Sequence, residues 1–260
     1  MNSLTLFLIV YPGFAFVGVM VPMLAFHWFT YPKHRKHTEW LLVCALFIEP
    51  AGMLCQFTAN CLSRLEPMRY DLYVYQIDRA LGFGRFTLAQ WVDHSISLKI
   101  LVSVSYGLLP AMMFVAFAVN LIWNSEESAL QAAKTIASNL FLALPIYLLF
   151  PVCGPQFAFP TFPHVPVGIE AARIAINAAP NGVPSVHTST ALLILWFLRR
   201  SWAGRVTGLI FLALTIFATL GSGQHYAFDL FCAVPYAAGI LYLNGELQAA
   251  PVAVLREQAA

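Results

Sequence analysis

The chain is short of charge. Only 10% of its 260 residues are Asp, Glu, Lys or Arg, against 60% hydrophobic residues, and its mean hydropathy is +0.72. A soluble domain of this length needs more ionised surface than that, so a water-soluble fold is excluded. The chain also lacks ~10-residue segments of alternating polarity, which excludes a membrane barrel. It has no basic patch with interleaved aromatics, and its net charge is only +2; nothing points to nucleic acid. The five cysteines, Cys44, Cys55, Cys61, Cys153 and Cys232, have no metal-ligand spacing and read as small core residues. Internal repeats and low-complexity segments are absent.

What the chain does have is apolar runs near 20 residues, recurring from end to end. That pattern predicts an all-α integral membrane protein. Seven candidate spans fall at 4–26, 40–62, 98–123, 135–153, 185–198, 206–222 and 226–244. One membrane domain over 1–260 is expected, with an extra N-terminal span at 4–26, a six-helix core bundle at 39–245 and a short cytoplasmic tail at 246–260. The first run has no positive region before it, so it reads as a retained span rather than a cleaved signal. Pro50, Pro110, Pro145 and Pro235 fall inside spans, where neighbouring helices must absorb each kink.

Basic residues of the short loops set the orientation. Lys33, Arg35 and Lys36 follow the first span, Lys134 precedes the fourth, Arg199, Arg200 and Arg205 follow the fifth, and Arg256 is in the tail. All share one side of a seven-span protein, which is then cytoplasmic, with the N-terminus outside. The outer loop 63–97 carries Arg64, Arg69, Arg79 and Arg85, mixed with Glu66, Asp71, Asp78 and Asp93. Within it Tyr70, Tyr73, Ile77 and Leu81 form a helical stripe, with Asp71 and Asp78 off it; Leu88, Trp91 and Val92 form a second. Two helices lying in the interface are expected, the second capped around Thr87. They would cover the bundle end, or roof a lateral opening for a lipid head group.

Polar residues are costly inside an apolar bundle and mark function. Three groups stand out: PVCGPQFAFP at 151–160, NGVPSVHTS at 181–189, and GSGQHYAFD at 221–229. The seven-span topology brings all three to the outer face. Ser185 is placed to cap the fifth span, whose free N–H groups and positive dipole end form an anion site. His187 lies in that first turn, where it can protonate a leaving oxygen. His225 and Asp229 are spaced i, i+4, so the carboxylate can fix the imidazole tautomer and leave the other ring nitrogen as a nucleophile. Gly221 and Gly223 allow a sharp turn and close approach of backbone to a ligand.

These residues resemble the type 2 phosphatidic acid phosphatase superfamily. PSVH at 184–187 is similar to that family's P-S-G-H motif, and HYAFD at 225–229 to its final H-x-x-x-D motif. GPQFAFP at 154–160 and IDRALGF at 77–83 resemble the inositol phosphorylceramide synthase-like branch. The resemblance covers roughly residues 71–239. It implies a lipid phosphatase or phosphotransferase acting on a phospholipid or isoprenoid-phosphate lipid, with no metal and no cofactor. It further implies that His225 attacks phosphorus to form a phosphohistidine, that Asp229 orients it, and that His187 protonates the departing alcohol. The site would face the extracytoplasmic or lumenal side of a plasma or inner membrane.

This chain departs from the family in its cations. Gln156 stands where the related branch often has Arg, Thr219 where phosphatase members have Arg, and Pro180–Asn181 where related sequences often offer Arg. Substrate binding then rests on Ser185, Gln156, Asn181, Gln224, Gly223 and a more distant Arg173 or Arg79. A phosphodiester, with one negative charge, suits such neutral donors better than a monoester does. The alternative is a non-enzymatic transporter, which Glu49 in mid-span favours, or a catalytically impaired lipid-binding member of the same fold. A metal held by His164, His187, His225 and Asp229, or a serine hydrolase built on Ser185, lacks the HExxH or GxSxG pattern each would need.

Overall fold

The computed structural model describes residues 3–166 and 168–247, with side chains from residue 17 onward except that of Glu49. Arg256 lies outside the described residues, as do the side chains of Glu49 and of the first half of the first span. The elements in order are α1 (Ser3–Thr30), α2 (Arg35–Leu65), β1 (Met68–Arg69), α3 (Asp71–Ala80), α4 (Thr87–His94), α5 (Ile96–Trp123), α6 (Glu126–Leu149), α7 (Pro155–Ala158), β2 (Ile174–Ala175), α8 (Val186–Leu198), α9 (Trp202–Gly221) and α10 (Ala227–Leu243). Four stretches, Pro32–Leu65, Ile96–Trp123, Glu126–Leu149 and Trp202–Gly221, are long and apolar enough to cross a membrane. Shorter apolar helices run over Val17–Thr30, Val186–Leu198 and Ala227–Leu243.

The helix α8 is the axis of the bundle. It packs against α5, α6, α9 and α10, which is why its thirteen residues are apolar nearly all round. Leu193 and Ile194 are fully buried there, beside Ala116, Ala132, Ala191 and Ala237 from four helices. Small residues at these crossings let the backbones approach closely, which is how helices associate without a hydrophobic drive. The outward faces carry exposed Phe47, Phe57, Ile100 and Ile210, as lipid contact requires.

The fourth span begins nine residues earlier than expected. Ser125 Oγ accepts from Ser128 N at 3.1 Å, and Glu126 and Glu127 sit in the first turn, where the dipole favours anions. Those charges masked a genuine helix start. The same helix stops at Leu149 rather than 153, because Cys153 and Gly154 give their N–H groups to a side chain, described below.

The two short helices of the outer loop are present, with Thr87 opening α4. The sequence left open which face α3 turns inward, and it is the one that carries the aspartates. Its Tyr73, Ile77 and Leu81 stripe is exposed, and Asp71, Val74, Tyr75 and Asp78 are buried. The stripe rule assumes water outside and an apolar interior. Here the interior end of the bundle holds unpaired backbone N–H groups, which attract carboxylates. A two-residue antiparallel ribbon, Met68↔Ala175 and Arg69↔Ile174, ties the start of α3 to the long loop before α8.

Candidate active site

His225 lies in the turn between α9 and α10 and is buried. Its Nδ1 is 3.1 Å from the Gly182 carbonyl and 3.2 Å from Asp229 Oδ2. A carbonyl only accepts, so Nδ1 carries the proton and Nε2 keeps its lone pair. Burial pushes the imidazole down to about 4, against the opposing pull of the Gly182 carbonyl. At neutral pH the ring is thus an uncharged nucleophile with an assigned tautomer.

Asp229 is fully buried in the first turn of α10. Its Oδ2 also accepts from the Tyr226 N–H at 2.9 Å, so one oxygen both orients His225 and caps the helix. The Asp229 carbonyl in turn accepts from Ser185 N at 3.2 Å, linking the α10 start to the α8 start. Ser185 Oγ accepts from Thr188 N at 3.3 Å, the capping role read from sequence. His187, in the first turn of α8, faces His225 edge-on with ring centroids 6.1 Å apart. Tyr106 of α5 stacks edge-on behind His187 at 4.8 Å.

The other residues singled out in the sequence divide. Gln156 donates its backbone N–H to the Gly223 carbonyl at 2.9 Å, and its side-chain Nε2 is buried without a partner among the described residues. Gly223 adopts φ +69°, with Phe162 packed where a Cβ would project. Gln224 gives its N–H to Ser222 Oγ and packs its carbonyl against Gly154. These residues lie around His225. Asn181 turns its amide towards Gln56 Oε1 at 3.4 Å. Arg173 is occupied at the ribbon, paired with Glu66 at 3.0 Å and stacked on Tyr70.

Three buried charges were missed in the sequence. Asp71 accepts from Gly154 N at 2.8 Å, from Cys153 N at 3.0 Å and from the Tyr226 hydroxyl at 3.3 Å. Asp78 accepts from Ala227 N at 2.8 Å and Phe228 N at 2.9 Å. The helix α3 therefore pins two of the three polar groups, 151–160 through Asp71 and 221–229 through both aspartates. Burial raises both carboxyls to about 6, against the backbone N–H groups that lower them. Arg69, fully buried, donates to Cys153 Sγ at 3.1 Å and to the Ala178 carbonyl at 3.0 Å, and also to the carbonyls of Glu66 and Ser63. With every nitrogen engaged, it positions the loop rather than facing a ligand. The available signal was the i, i+7 spacing of Asp71 and Asp78, which puts both on one face of a helix.

A cavity of about 320 Å³ opens onto His225 between Asp78, Phe83, Phe86, Trp91 and Leu220. Phe83, Phe86, Trp91 and Leu220 make much of its wall apolar.

The sequence model of the PAP2 superfamily matches residues 72–243. The chain belongs to the PAP2 superfamily. Members of this superfamily are generally phosphatases or phosphotransferases. The matched segment contains His187, His225, Asp229 and Asp78, and begins one residue after Asp71. No curated protein and no solved structure matches the chain.

Proposed function

We propose that this protein is a membrane lipid phosphatase or phosphotransferase working through a phosphohistidine on His225. The observation that carries the reading is the tautomer lock. Gly182 and Asp229 hold the Nδ1 proton, and the free Nε2 lies on a ring 6.1 Å from that of His187. Nε2 attacks phosphorus, the bond to the head-group or lipid oxygen breaks, and His187 supplies the proton that oxygen takes up. In the second half His187 removes a proton from water or an acceptor alcohol. That oxygen displaces Nε2, and the histidine is regenerated. The N–H groups at the α8 start and the unpartnered Gln156 amide would hold the non-bridging oxygens.

The absence of a cationic clamp favours a phosphodiester lipid and head-group transfer, in keeping with the inositol phosphorylceramide synthase-like branch. The loop basics Lys33, Arg35, Lys36, Lys134, Arg199 and Arg200 support a seven-span topology with the site on the extracytoplasmic side. The test is turnover of phosphodiester lipids in nanodiscs, with water or a long-chain alcohol as acceptor. Release of head group or formation of a new phospholipid is expected. Vanadate blocks it, EDTA does not, and His225→Ala abolishes it. Normal turnover in His225→Ala would falsify the nucleophile assignment.

A further inference from the structure

Beside the cavity that reaches His225 lies a larger hollow of about 1020 Å³, walled in part by Arg79, Arg85, Gln90, Thr161 and His164. The two adjoin, for Gly82 and Thr87 line both. A volume near 1000 Å³ suits a ligand far larger than one phosphate. Neither Arg79 nor Arg85 has a carboxylate partner among the described residues. The nearby acids are engaged elsewhere: Asp78 with the α10 N–H groups, and Asp93 with Lys99 at 3.0 Å.

The segment carrying these arginines is held rigidly. A Cβ at Gly84 would lie 2.8 Å from Arg79 Cα, so only glycine lets the loop fold back onto the end of α3. Phe86 adopts φ +48°, a left-handed conformation that bulky residues avoid. Its ring is locked among Tyr75, Phe159, Phe162 and Tyr226, with centroids 5.4–6.3 Å away. Strain in a non-glycine residue persists only where packing over-determines it, and here it sits between the hollow and the catalytic cavity.

We propose that this hollow is a second anion site, which receives the distal phosphate of a phosphorylated polyol or sugar head group. The proposal rests on the phosphodiester reading of the His225 site, whose phosphorus the same substrate would present. Arginine pairs suit a phosphate because the guanidinium fork binds two of its oxygens at once. The acyl chains leave in the other direction, along the apolar wall of Phe83, Leu88 and Trp91.

The test is calorimetric titration of the intact protein, in phosphatidylcholine nanodiscs, with soluble deacylated head groups. The probes are glycerophosphoinositol, glycerophosphoinositol 4-phosphate and inorganic phosphate. The phosphorylated head group should bind about tenfold tighter than the unphosphorylated one at low salt, from two partly exposed charge pairs. Raised salt should weaken that preference. Arg79→Gln or Arg85→Gln alone should cut it to about threefold, and the double variant should erase it. Arg64→Gln, which removes an exposed charge elsewhere on the outer loop, should keep it in full. Equal binding of the two head groups, or a preference surviving in the double variant, overturns the proposal. Inorganic phosphate binding as tightly as the phosphorylated head group also overturns it, in favour of a free-anion site. Turnover retained by His225→Ala removes the catalytic reading alone, because head-group preference is measured without turnover.

Discussion

Asp78→Ala separates the geometry of the site from its stability. Asp78 accepts the first two N–H groups of α10, at 2.8 and 2.9 Å, just ahead of Asp229. A carboxyl pKa of about 6 in place of about 4 corresponds to roughly 3 kcal/mol in favour of the neutral acid. The folded protein therefore binds this proton more tightly than the unfolded chain does. Its contribution to stability is present below about pH 4 and lost as pH rises through 6. At pH 7 the group is in the less stabilising of its two forms, so its main effect there is on position. Removing it leaves two N–H groups unpaired, at about 1–3 kcal/mol each, and removes the roughly 3 kcal/mol charging cost. The net change should fall between about −1 and +3 kcal/mol. Turnover should fall about 10²-fold, because displacement of order 1 Å at a reacting group costs that much. The assay pairs kcat with thermal inactivation in the same detergent. Asp93→Ala, which removes an exposed ion pair with Lys99, serves as the control and should change neither. Wild-type kcat in Asp78→Ala, or a loss of activity wholly matched by loss of folded protein, refutes the reasoning.

The same values predict the acid side of the pH profile. Activity should rise through about pH 6 as Asp71 and Asp78 ionise, well above the His225 imidazole at about 4; a limb at 4 alone would place the control on His225. Asp229→Asn should lower kcat by ~10²–10⁴-fold by disturbing the tautomer, and kcat within threefold of wild type would dismiss its orienting role. Gly154→Ala should cost at least about 3 kcal/mol, since φ is +117° and the new Cβ would lie 2.1 Å from the Gln224 carbonyl oxygen. Gly239→Ala, with open space around it, should leave thermal inactivation unchanged; equal effects at the two glycines would contradict the packing described.

Hydropathy and short motifs carried much of this protein. Apolar runs set by bilayer thickness read directly as helices, and the α8 cap, the i, i+4 pair of His225 and Asp229 and the turn glycines follow from local geometry alone. Charge near a helix start misled, as the early beginning of α6 at Glu126 shows. The two outer-loop helices were legible as helices, but not the face that α3 buries. The face that α3 buries depends on what it meets, and it meets the exposed N–H groups of Gly154 and of the α10 start rather than a hydrocarbon core. No local pattern announces that Asp71 and Asp78 answer donors 80 and 150 residues away, or that Arg69 is consumed by the carbonyls of a distant loop. Periodicity specifies which residues share a side of an element, because that depends only on backbone repeat. Which side turns inward, and which charges find partners there, depends on groups brought close by folding, and so only the tertiary structure decides it.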